Sequence, residues 1–185
     1  MKKHSVIAMA ALTAMSFQVF AATPFSMTSR DISGERRLAS PQVFEGFGCH
    51  GGNTSPQLAW TNPPAGTKSF AVTVYDPDAP TGSGWWHWTV ANIPAKTMTL
   101  PADAGNPNGE KLPAGAVQGR NDFGYSGFGG ACPPAGDKPH RYQMTVWALD
   151  VAKLPVDNNA SGALVGFMIN SHVLAKAQLT ATYSR

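Results

Sequence analysis

Three short polar clusters interrupt an otherwise apolar and turn-rich sequence of 185 residues. They are Asp76-Pro77-Asp78-Ala79-Pro80, Trp85-Trp86-His87-Trp88 and His140-Arg141-Tyr142. Two imidazoles and a phenol are hydrogen-bond donors suited to an oxyanion such as phosphate or carboxylate. A carboxylate beside one imidazole can accept its N–H and fix its tautomer, a role that falls to Asp76. Taken singly, each cluster has a plainer reading. His87 between tryptophans fits a satisfied histidine in an aromatic core, while His140 fits a surface residue and Tyr142 a core one. Taken together, they make a small polar patch in an apolar bowl, the make-up of a small-ligand pocket.

The same residues admit an acid–base reading, with Asp76 and His87 or His140 acting on a phosphoester or acyl substrate. A nucleophile is lacking for it. Ser83 sits in Thr81-Gly82-Ser83-Gly84, without the G-x-S-x-G elbow that follows a strand. No Walker-type glycine loop is present either. Catalytic residues and cofactors are therefore assigned as none. The two cysteines, Cys49 and Cys132, have His50 and His140 nearby, but adjacent Cys-His is poor metal-ligand spacing. No metal is expected. In an exported chain the pair reads as a disulfide, closing a long loop worth about 4–5 kcal/mol in the chain-entropy model.

Export is read from residues 1–21, where Lys2 and Lys3 precede a largely apolar stretch from Val6 to Phe20, ending at Val19-Phe20-Ala21. This is the three-part pattern of a cleaved signal peptide, too short and mixed for a membrane span. The expected organisation is a signal peptide over 1–21 and one domain over 22–185, in the periplasm. Net charge is +3, and loss of Lys2 and Lys3 brings it to about +1. With no basic run, nucleic acid is excluded as a partner.

The elements that must position the clusters are mostly strands. Phe70–Tyr75, Trp88–Ile93, Tyr142–Leu149 and Leu179–Tyr183 are β-branched and aromatic. Alternation sets Asp76 on the face of Phe70, Val72 and Val74, and His87 on that of Thr89, Ala91 and Ile93. It sets His140 and Tyr142 on one face and Arg141 on the other. Prolines 77 and 80 stiffen the turn after Asp76. A single helix is expected over Ser161–Lys176, capped by Ser161, with His172 inside it as a packing or surface residue. The 19 Gly and 15 Pro are those of a chain punctuated by turns. The stretch from Asp103 to Pro139 is dense in both and reads as a long functional rim loop.

These ordered motifs, with Cys132-Pro133-Pro134 before His140, resemble the phosphatidylethanolamine-binding protein family, in its bacterial Raf-kinase-inhibitor-like branch. The resemblance spans nearly all of residues 22–185. It implies a mainly β fold of packed antiparallel sheets with a few short helices, and a shallow pocket for anions and phosphorylated head groups. The positions it carries over as ligand-binding are Asp76, Trp85, His87, Pro133, Pro134, His140 and Tyr142. Two departures stand out. Cys132 occupies a position that is Gly in many eukaryotic members, which would narrow or re-aim the pocket mouth. The sequence also stops at Arg185, soon after its last strand, without the helix that borders the pocket in animal members.

The leading expectation is a non-enzymatic binding protein for a small anionic or phosphorylated ligand. The alternatives are an inhibitor acting on a protease or other protein partner, as some relatives do, and a weak hydrolase using Asp76 and His87 or His140. Exposed aromatics would also allow a homodimer.

Overall fold

The computed structural model describes residues 23–32 and 34–185; the expected signal peptide lies outside the described residues. In chain order the elements are β1 (Ser26–Thr28), β2 (Glu45–Gly46), β3 (Cys49–His50), β4 (Leu58–Thr61), β5 (Ser69–Asp76) and β6 (Trp85–Pro94). They continue with β7 (Thr99–Leu100), β8 (Val117–Gln118), β9 (His140–Leu149), α1 (Gly162–Asn170) and β10 (Val173–Tyr183). Five strands form an antiparallel sheet in the order β10-β9-β5-β6-β8, and three form a second sheet, β1-β4-β7. A short β2–β3 hairpin stands apart. The fold is mainly β with packed antiparallel sheets, as expected. No helix among the described residues is long and apolar enough to cross a membrane.

Strand alternation builds the core. Phe70, Val72 and Val74 of β5, and Tyr142, Met144, Val146 and Ala148 of β9, face the small sheet. There they pack on Met27, Leu58, Trp60 and Leu100. Residues of opposite parity, Ala71 and Ala91, meet Val165 and Ile169 of α1 on the other side. Small residues on that face let the helix approach closely. Gly162 is essential to this, because a Cβ there would collide with the Trp86 ring.

The helix is shorter than its periodicity predicts. Ser161 caps it as expected, its side chain accepting from the Leu164 amide. It ends at Asn170, however, and Val173–Lys176 belong to β10. These residues find partners on β9, Val173 opposite Leu149 and Lys176 opposite Trp147. A ten-residue strand edge satisfies more backbone than two further helical turns would, so tertiary pairing overrides the local pattern. Its covered face carries Val165 and Ile169, whereas Leu164 and Phe167 are exposed. His172 lies beyond the helix on the surface, its Nδ1 3.0 Å from Asp150.

The stretch 103–139 is less formless than expected. It contains β8, which pairs with β6 through Val90 and Gln118. Its far end is pinned by the Cys49–Cys132 disulfide, which spans 83 positions with a Cα–Cα distance of 5.9 Å. Replacing both cysteines by serine is expected to lower the unfolding free energy by about 2–5 kcal/mol. Denaturant titration of wild type and variant checks this, and coincident midpoints would show that the crosslink contributes nothing.

Candidate functional site

The strands β9, β5 and β6 are neighbours, and antiparallel pairing brings the start of β9, the end of β5 and the start of β6 to one edge. Those three ends carry His140 and Tyr142, Asp76, and Trp85 and His87. They surround a cavity of about 200 Å³ whose wall also contains Phe47, Phe123, Cys132, Pro133 and Pro134. All seven residues singled out from the sequence thus line one space. Those that sequence reasoning missed are Phe47, Phe123, Ala79, Pro80 and Thr81. Asn121-Asp122-Phe123-Gly124-Tyr125 gives no strand or motif signal. The glycines on either side of Phe47 are the signal that could have marked it as a loop tip; it has φ 50° and is 72% exposed.

His87 reaches the cavity through an irregularity that alternation did not foresee. Val74 pairs with Trp88 and Tyr75 with Trp86, so His87 is an extra residue on β6 opposite a single step of β5. A bulge of this kind re-aims a side chain. It detaches His87 from the face of Thr89 and Ala91 and sets its ring 5.1 Å from Tyr142 and 5.6 Å from Phe123. A second irregularity, between the pairs of Phe70 and Val72, accompanies Asn92 at φ 61°. It moves Ile93 onto the opposite face from Ala91.

Asp76 and His140 form a buried pair. His140 Nδ1 donates to Asp76 Oδ2 at 2.7 Å, and Asp76 Oδ1 accepts from the Asp78 amide at 2.8 Å. His140 Nε2 stands 3.3 Å from Asp137 Oδ2. Burial disfavours the charged ring, but carboxylates at both nitrogens prevail and hold the His140 pKa above the ordinary histidine value. Arg141 turns outward, as alternation requires, and grips Asp78 through Nε and Nη2 at 2.8 and 2.6 Å. That pairing lowers the Asp78 pKa.

His87 behaves oppositely. Its Nδ1 donates to the Gly129 carbonyl at 2.7 Å, and burial pushes its pKa down despite that carbonyl and the carboxylate of Asp76. The ring is therefore neutral, with its proton on Nδ1 and a lone pair on Nε2. Burial likewise raises the Tyr142 pKa, keeping the phenol protonated. The imidazole N–H groups expected to receive an anion are thus already engaged within the protein. The donors left over are the Tyr142 hydroxyl and Trp85 Nε1, both buried without a hydrogen-bond partner among the described residues.

The mouth is braced from several directions. Phe123 stacks on Phe44 at 4.0 Å and meets Trp85 at 5.2 Å and Phe47 at 5.8 Å. Arg185 donates to the carbonyls of Pro133 at 2.6 Å and Gly48 at 2.9 Å, tying the β2–β3 hairpin to the proline pair.

Because the His140 pKa is raised on folding, its contribution to stability is full below the unfolded value near 6.5 and disappears as pH rises through the folded value. Asp76→Asn is expected to lower the His140 pKa and to destabilise most in mild acid, with the deficit shrinking towards alkaline pH. NMR titration of the His140 ring and denaturation at pH 5.5 and 8.5 read the two effects. An unmoved His140 titration would refute the pairing.

Comparison with known proteins identifies the family. Residues 28–184 match the family model described as phosphatidylethanolamine-binding protein. YbcL of Escherichia coli K12, a UPF0098 protein, is 63% identical over 173 residues, covering 92% of this chain and 94% of its own. The YbcL crystal structure superposes with a TM-score of 0.86 at 65% identity, over 87% of this chain and 98% of that one. YbhB of the same organism is 52% identical over 158 residues, 85% of this chain and 99% of its own. A Mycobacterium tuberculosis protein named as lipoprotein LppC is 34% identical over 152 residues, 79% of this chain and 71% of its own. This chain belongs to the phosphatidylethanolamine-binding protein family.

Proposed function

We propose that this is an exported, non-catalytic binding protein whose cavity receives a small anionic or phosphorylated group. The observation that carries the reading is the pair of orphaned donors, Tyr142 hydroxyl and Trp85 Nε1, in the wall of one cavity. A buried donor without a partner costs about 1–3 kcal/mol, which an acceptor oxygen of a ligand would relieve. Aromatic and proline walls provide the apolar remainder of such a site.

The chemistry of the lining supports binding without turnover. Thr81 bears the aliphatic hydroxyl of the cavity wall, and it is engaged with the Gly84 carbonyl. His87 and His140 each spend Nδ1 on a protein acceptor, and neither activates a nucleophile. Export is supported by the N-terminal pattern, by the disulfide and by the lipoprotein name of one relative. Phe47, large and exposed at the mouth, supports a second reading in which a protein partner seats over the cavity.

Phosphoethanolamine is expected to bind saturably near pH 6.5, with Tyr142→Phe weakening it about ten- to hundredfold. Without ligand, the same substitution removes an unsatisfied hydroxyl, so stability should hold or rise. Phosphorus NMR and thermal unfolding measure both. Equal binding by the two proteins would remove Tyr142 from the site, and release of inorganic phosphate by wild type would make this an enzyme.

A further inference from the structure

The central sheet carries a second recess, on the α1 side, which shares no lining residue with the cavity. Strand pairing lays Ala71, Trp147 and Lys176 in one row and Thr73, Thr145 and Gln178 in the next. A third row holds Trp86, Tyr75, Gln143 and Thr180. The helix packs on Ala71, Ala91 and Leu149, whereas Trp86, Tyr75, Gln143 and Trp147 stay half-buried. Between helix and sheet runs a groove of about 340 Å³, walled by Trp86, Trp147 and Phe167, with Gly166 and Asn170 on its helix side. Its size and aromatic walls are those of a small-ligand site.

One residue of this groove has no structural need to be what it is. Gly166 lies inside α1, where glycine is the least favourable residue apart from proline. A Cβ there would meet the Trp86 ring at 3.6 Å, an ordinary contact, unlike the collision that Gly162 avoids. Alanine would therefore strengthen the helix while filling the groove beside Trp86. What Gly166 provides is open space. Next to it Phe167 is 67% exposed, an apolar ring displayed to solvent at the edge of that space.

The lining also selects a class of ligand. No ionisable side chain lines the groove, so a charged ligand would lose water there without gaining a counter-charge. Lys176 holds its ammonium 5.1 Å from the centre of the Trp147 ring, so that indole already serves a cation. Trp147 Nε1 donates to Thr73 Oγ1 at 3.0 Å, which fixes the ring. Trp86 is bonded through its backbone, and its Nε1 has no partner among the described residues. The exposed Asn170 amide, which can donate and accept, likewise has none. A wholly apolar occupant would leave these neutral groups unpaired. A sugar ring matches them, with apolar C–H faces for aromatic walls and a rim of hydroxyls that donate and accept. We infer that the groove binds a neutral saccharide, one sugar ring lying against Phe167 and Trp86 with its hydroxyls bonded to Asn170 and Trp86 Nε1.

Chitotriose and maltotriose, titrated into the protein and followed through its indole N–H signals by NMR, test this. At least one of them is expected to move the Trp86 and Trp147 signals saturably while leaving Trp85, in the cavity wall, unmoved. Phe167→Ala is expected to weaken that binding about tenfold. Gly166→Ala is expected to weaken it at least as much while raising the midpoint of thermal unfolding by a few degrees. A purely structural glycine would give neither effect, so unchanged binding by Gly166→Ala would overturn the proposal. A response to neither sugar, or one centred on Trp85, would do the same. Indole serves as the apolar control and is expected to bind more weakly than the sugar. Tighter binding of indole would assign the groove to an apolar ligand instead. Movement of the Trp86 and Trp147 signals on dilution of the protein alone would assign it to a second copy, and either result would overturn the saccharide site.

Discussion

The buried pair between Asp76 and His140 is the interaction on which the site depends. One carboxylate joins the end of β5 to the start of β9 through His140 and shapes the following turn through the Asp78 amide. The backbone of Asp76 pairs in turn with Trp85 at the start of β6. Three strand ends are thereby fixed around one buried charge. A carboxylate at 2% exposure is tolerable only when its oxygens are both occupied, and here they are. The consequence is division of labour between the histidines. His140, clasped by Asp76 and Asp137, is structural and holds its proton more firmly than a free imidazole, while His87, held by a carbonyl, holds one less firmly and lines the cavity.

A similar economy governs the rim. The cavity mouth is formed by segments with little regular structure, the β2–β3 hairpin and the loop ending in Cys132-Pro133-Pro134. Loops that must present side chains with fixed geometry need constraint from elsewhere. The disulfide, the Phe44–Phe123 stack and the Arg185 side chain supply it from three directions. Arg141 and Asp78 serve the outer surface rather than the pocket, so the cluster His140-Arg141-Tyr142 places residues of opposite function on alternate faces of one strand.

The central sheet makes this possible by being covered on both faces. The small sheet and the aromatic core pack on one side, and α1 with the segments around Leu154 and Ala160 on the other. Strands buried this way resist slippage, since a one-residue shift would reverse every side chain. The local extra residue at His87 is confined by regular pairing of β5 with β9 along its whole length. Register between β5 and β9 is thus held, and the extra residue at His87 is taken up on the β6 side.

Much of this was legible in the residues themselves. Strand alternation located the cores of β5, β6, β9 and β10, and the turn at Asp76–Pro80 followed from fixed proline angles. Asp76, His87, His140 and Tyr142 stood out because polar groups on apolar strands need a reason to be there, whereas Pro133 and Pro134 were assigned through the family resemblance. Tertiary structure alone decided the rest, in each case through a partner distant in sequence. The bulge at His87 exists only in the pairing of β6 with β5, so alternation along one strand assigned the wrong face. Val173–Lys176 look helical until β9 offers them a ladder. Phe47 and Phe123 sit in segments without periodicity and become wall residues when a crosslink and an aromatic stack gather them. The protonation of the two histidines was equally beyond sequence, because it is set by which acceptor each ring nitrogen meets: a distant carboxylate for His140, a loop carbonyl for His87.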